Sequence, residues 1–79
     1  MDYKQILNMA VLAGEIMLRS GAETYRVEDT MKHILNTAGT EVAEAFVMMT
    51  GIVATLDNPD MEMYGRENIS CTEKRSFAE

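Results

Sequence analysis

The sequence predicts an α+β fold: a two-helix hairpin packed on a small antiparallel sheet of two or three strands. Three observations lead there. Apolar residues recur at three- and four-residue spacing from Tyr3 to Ala38. Gly21 breaks that stretch in two. After Gly39 the spacing gives way to short runs of β-formers, Phe46 to Met49 and Ile52 to Leu56. With 79 residues the chain makes one domain. A domain of that size buries only about 60–65% of its unfolded surface, so covering a face with a partner or a second copy would add stability.

The first helix is expected over residues 3–19. Ile6, Ala10, Ala13, Gly14 and Met17 form its inner stripe, joined by Leu7 and Leu18 and widened by Val11 and Leu12. Lys4, Asn8, Glu15 and Arg19 fall on the other side. Asp2 stands where a carboxylate accepts from first-turn N–H groups. Ala10, Ala13 and Gly14 are small enough to let another helix approach closely.

Gly21 supplies the left-handed residue that commonly closes a helix. Ser20 and Glu23 also fit the S-x-x-E capping box that opens one, and Thr24 is a second candidate cap. Either way the chain turns sharply. The second helix is expected from about Ala22 to Ala38, with Val27, Met31, Ile34, Leu35 and Ala38 inward and Arg26, Asp29, Lys32, His33 and Asn36 off that stripe. Gly39 stops it. So short a connection makes the two helices neighbours in an αα-hairpin.

Thr50-Gly51 lies between the two β-forming runs and suggests a hairpin turn. Apolar residues do not alternate cleanly there, which fits a sheet covered on both faces. Asp57-Asn58-Pro59-Asp60 reads as a turn, and Met61 to Tyr64 as a third strand ended by Gly65. Beyond it the chain is mostly polar and aperiodic. Residues 1–64 are therefore expected to form the domain and residues 65–79 a loose tail, with a short terminal helix as the alternative.

Net charge is −6 and Lys and Arg nowhere cluster. That argues against nucleic acid and anionic lipid as partners, since both are held by phosphate neutralisation. The acidity reads as a solubility device. Cys71 is the single cysteine, so there is no intramolecular disulfide, and a reducing, cytoplasmic compartment fits. The N-terminus lacks the basic and apolar regions of a signal peptide, and no run approaches the ~20 apolar residues of a membrane span.

Candidate chemistry is sparse. His33 is the one histidine, and Cys71 is remote from it and reads as an incidental thiol. Asp29 and His33 share a helix face, with Glu23 or Glu28 near, but a zinc site needs three or four converging ligands. Solvated helix surface is the reading preferred for the pair, and no metal or cofactor is expected. Gly14 and Gly21 stand apart, so there is no phosphate-cradling loop. Glu28 and Asp29 are adjacent and point to different sides of a helix, which excludes an acid/base pair between them. Glu23 and Arg26 are three apart and could form an ion pair, worth a few tenths of a kcal/mol when exposed. The eight methionines fit flexible core filling.

The run Ser20-Gly21-Ala22-Glu23-Thr24-Tyr25-Arg26-Val27-Glu28-Asp29-Thr30-Met31 closely resembles the threonine/serine exporter family, and within it the N-terminal domain that precedes a block of transmembrane helices. Leu12-Ala13-Gly14, Met17 to Gly21, Phe46-Val47-Met48-Met49-Thr50-Gly51-Ile52 and Asp57 to Asp60 fit the same pattern, so the resemblance covers roughly residues 5 to 64. It implies export of small polar metabolites, threonine or serine by the family's name and dicarboxylates in related two-component members. It implies an ion gradient as energy source and no enzyme activity. The place it implies is the cytoplasmic side of the cytoplasmic membrane, beside a transmembrane domain of the same or a companion chain.

Residues after Tyr64 depart from the basic segment and Asn-Leu-containing helix of the family, so a truncated member is expected. A soluble piece alone would translocate nothing, because crossing a bilayer takes helices or a closed barrel. Glu23, Arg26, Glu28, Asp29 and Thr50 are the candidate site residues, for substrate binding or for bracing, in which a buried Arg26 paired with Glu23 or a strand carboxylate would hold the helices on the sheet. Two other readings compete. One is a stand-alone dimerising module, a homo-oligomer formed through an exposed strand edge or the small-residue helix face. The other is a small metal-dependent enzyme using Asp29 and His33.

Overall fold

A computed structural model describes residues 2–58 and 69–77. Two helices, α1 (Tyr3–Arg19) and α2 (Thr24–Asn36), precede three strands, β1 (Val42–Met48), β2 (Gly51–Asn58) and β3 (Ile69–Ser76). The strands form one antiparallel sheet in the order β1-β2-β3. This is the expected α+β arrangement with three strands.

Local chemistry sets the helix ends. The Asp2 carboxylate accepts from the Gln5 N–H at 2.8 Å, and the Asp2 N–H donates back to the Gln5 side chain at 3.2 Å. At the other end Gly21 takes φ 89°, the Gly21 N–H donates to the Leu18 carbonyl and the Ala22 N–H to the Met17 carbonyl, each at 3.0 Å. This crossed pair satisfies two of the carbonyls that a helix end leaves open. The capping box expected at Ser20 and Glu23 does not form. Ser20 instead donates its hydroxyl to the Ile16 carbonyl at 2.8 Å, closing α1, while Glu23 caps α2 without a side-chain hydrogen bond. Thr24 is the first residue of α2 rather than its cap, and α2 stops at Asn36, two residues short of the expected Ala38.

Both helices cover one face of the sheet. Ile6, Leu7, Ala10 and Val11 of α1 and Val27, Met31 and Leu35 of α2 are buried against Ala45, Val47, Ile52, Ala54 and Leu56. Side chains alternate in direction along a strand, so this single set lies on one side. Full burial of a side chain such as Leu35 or Leu56 stabilises by roughly 1.5–3 kcal/mol. Gly14 is where a small residue matters. A Cβ there would lie 2.6 Å from the Met31 sulfur and 3.1 Å from the Ile52 Cδ1, so the missing side chain admits Met31 between α1 and the sheet.

Three sequence expectations need correction. The turn between β1 and β2 is Met49-Thr50, one residue earlier than expected, and Gly51 belongs to β2. The glycine answers a crowding problem: a Cβ at Gly51 would sit 2.9 Å from the Arg75 backbone carbonyl of β3. Among the described residues nothing covers the second face of the sheet: Phe46 and Met48 are each 60% exposed on the side away from the helices. Finally, the expected loose tail contains β3, which pairs with β2 from Asn58↔Ile69 to Gly51↔Ser76. Its Cys71 and Phe77 pack against the core. The strand expected at Met61–Tyr64 and the Pro59-Asp60 half of the expected turn lie outside the described residues.

Candidate functional site

The Ser20–Met31 run occupies the α1–α2 connection and the first two turns of α2. Its geometry divides the nominated residues. Glu28 is the one that points inward. Its carboxylate accepts from the Val47 backbone N–H of β1 at 3.0 Å. Among the described residues β1 is an edge strand, whose outer N–H groups have no strand to pair with. Glu28 supplies an acceptor to one of them, and Lys32, one turn on, approaches Glu44 of β1 at 3.8 Å. Together they clip α2 to the edge of the sheet.

Glu23, Arg26 and Asp29 are exposed. The proposed brace through Arg26 is absent: among the described residues Arg26 forms no ion pair with Glu23 or with a strand carboxylate. Its guanidinium instead lies 6.0 Å from the Tyr25 ring centroid and donates to the Tyr25 hydroxyl at 3.4 Å. Thr50, in the hairpin turn, is exposed, and its carbonyl accepts from the Phe77 N–H at 2.8 Å, continuing the ladder past β3. It borders a shallow depression of about 250 Å³ beside Gly51. None of Glu23, Arg26, Glu28 or Asp29 lines that depression. The five candidates therefore do not converge on one cavity. His33 and Asp29 both lie on exposed helix surface, and no group of three or more metal-ligating side chains occurs among the described residues.

A second polar cluster was not foreseen. Arg75 of β3 reaches Glu15 of α1 at 3.2 Å, and Arg19 approaches the same carboxylate at 3.9 Å. Arg19 also lies over the Phe77 ring, 5.4 Å from its centroid. Only 17% of the Glu15 side chain is exposed. The cluster ties the last strand to the first helix. The available signal was the alternation Cys71, Glu73, Arg75, Phe77, which puts four half-buried residues on one strand face.

The Ser20–Met31 run thus presents an exposed charged surface at the start of α2, anchored from beneath by Glu28. The family model described as "Putative threonine/serine exporter" matches residues 8–76. The chain belongs to the threonine/serine exporter family. That family is one of transporters, not of enzymes. The matched span continues beyond residue 64, where the sequence resemblance was expected to end, and includes β3. No curated protein and no solved structure matches the chain. No helix among the described residues is long and apolar enough to cross a membrane.

Proposed function

We propose that the chain acts as the non-membrane domain of a threonine/serine exporter, supporting efflux of a small polar metabolite when joined to a membrane domain on the same or a companion chain. The observation that carries this reading is the family match over residues 8–76. The absence of a membrane-crossing helix among the described residues is compatible with it. In this reading the domain sits on the cytoplasmic side of the membrane. Glu23, Arg26 and Asp29 leave their charged ends free to meet a polar loop of the membrane domain, while Glu28 holds α2 in place from the other side. Contact with the partner domain suits this surface better than direct capture of threonine. An amino acid is held tightly by polar groups converging in a concave site, and these side chains do not converge.

The test is efflux. Cells lacking their own threonine export, loaded with threonine, would express a family membrane domain with or without this chain. Faster efflux with the chain present is the expected result. Equal efflux in both, with both proteins made, overturns the proposal.

A further inference from the structure

We propose that the open face of the sheet joins two copies of this chain, sheet to sheet, about a two-fold axis parallel to the strands. On this face Phe46 and Met48 are 60% exposed, and Met49 at the adjoining turn is 80% exposed. These three make an exposed apolar patch at the hairpin end of a face that carries Glu44, Thr55, Thr72 and Lys74 around it, and an apolar patch rimmed by polar residues marks an interaction site.

The occupant follows from how the strands are registered. Phe46 pairs with Val53, and Val53 pairs with Lys74, so the three form one row across the face. A two-fold axis parallel to the strands lays β2 on β2 and exchanges β1 with β3. Val53 then meets Val53 of the other copy. Phe46 of each copy meets Lys74 of the other, and this happens twice. A lysine stem covers an aromatic ring well, and its ammonium is attracted to the ring face. The row is complementary to itself in this orientation. A two-fold axis lying across the strands on this row would set Lys74 against Lys74. The chosen axis also gives the aligned sheet packing, near −30°, that twisted sheets adopt. The shallow depression beside Gly51, bordered by Met48, Val53 and Lys74, leaves room for an apolar side chain from the facing copy.

Area limits the strength. Three strands of up to eight residues present a footprint of roughly 370 Å² at the usual strand spacing and rise. A standard interface covers about 800 Å² on each partner. The dimer is therefore weak and reversible. The contact is independent of the exporter reading, because it uses none of the α2 surface.

Sedimentation of the whole chain from about 10 μM to 1 mM tests it. The expected result is a concentration-dependent shift from monomer to dimer. Phe46→Lys, which opposes Lys74 of the other copy with like charge twice, should abolish the shift, Lys74→Ala should weaken association about five- to thirty-fold, and Leu12→Glu, on the exposed side of α1, should leave it unchanged. A wild-type chain that stays monomeric throughout overturns the proposal, as does a dimer that survives Phe46→Lys or is lost in Leu12→Glu. Dilution of the wild-type chain followed by amide chemical shifts gives the same answer without a variant. Changes should map to the rows of Phe46, Val53 and Lys74. Changes confined to the outer surface of α1 would overturn the assignment.

Discussion

The Ser20–Met31 run and the β3 strand are both polar stretches in sequence, and they do opposite things in the fold. The first exposes Glu23, Tyr25, Arg26 and Asp29 and buries only Val27 and Met31. The second turns Cys71, Arg75 and the following Phe77 toward α1 and the core. The difference teaches that a polar run can be mostly surface or mostly structural, according to what its neighbours in space demand. Little in the packing dictates the order of side chains at the exposed Glu23, Tyr25, Arg26 and Asp29. In β3 packing dictates the inward positions.

Substitutions can break this contrast, starting where the effect is largest. Gly51→Ala drives a methyl into the Arg75 carbonyl, a backbone atom that can retreat only by parting β2 from β3. A loss of about 1–3 kcal/mol is expected, read as a lower denaturation midpoint. Next comes Glu28→Ala, the one position in the Ser20–Met31 run expected to behave like β3. Removing its carboxylate strands the Val47 N–H at a part-buried edge and should destabilise by about 1–2 kcal/mol in urea unfolding. Smallest is the pair Arg75→Ala and Arg26→Ala. Arg75 is paired but 39% exposed, so its loss should cost no more than about 1 kcal/mol. Arg26 should fall within about 0.5 kcal/mol of wild type. If Arg26→Ala proved more destabilising than Arg75→Ala, the division between surface run and structural strand would fail.

The same contrast explains what could be read from the sequence. α1 and α2 are visible because their spacing is local: Ile6, Ala10 and Gly14, or Val27, Met31 and Leu35, repeat within a single element. β1 and β2 are visible from their β-branched and aromatic content. β3 is not, because Glu73 and Arg75 occupy the strand face turned toward the helices, and charged residues there break the apolar alternation that marks a strand. Arg75 makes sense only beside Glu15, which is 60 residues earlier. The site was legible in part. The Ser20–Met31 run pointed to the right family, but Arg26 was assigned the bracing role that the structure gives to Glu28. Both are charged residues at the start of one helix, and only the position of β1 distinguishes them.

The Arg75–Glu15 contact also bears on the order of events at the ribosome. The helix pair and the β1–β2 hairpin are made of near neighbours in sequence and can form as they emerge. The strand that completes the sheet emerges after them and closes back on α1. Until then Ala54 and Leu56 lie on an unfinished edge that invites pairing with other chains. A nascent chain paused before residue 69 would therefore present the helices and a sticky two-stranded ribbon, and its fate would depend on how soon translation resumes.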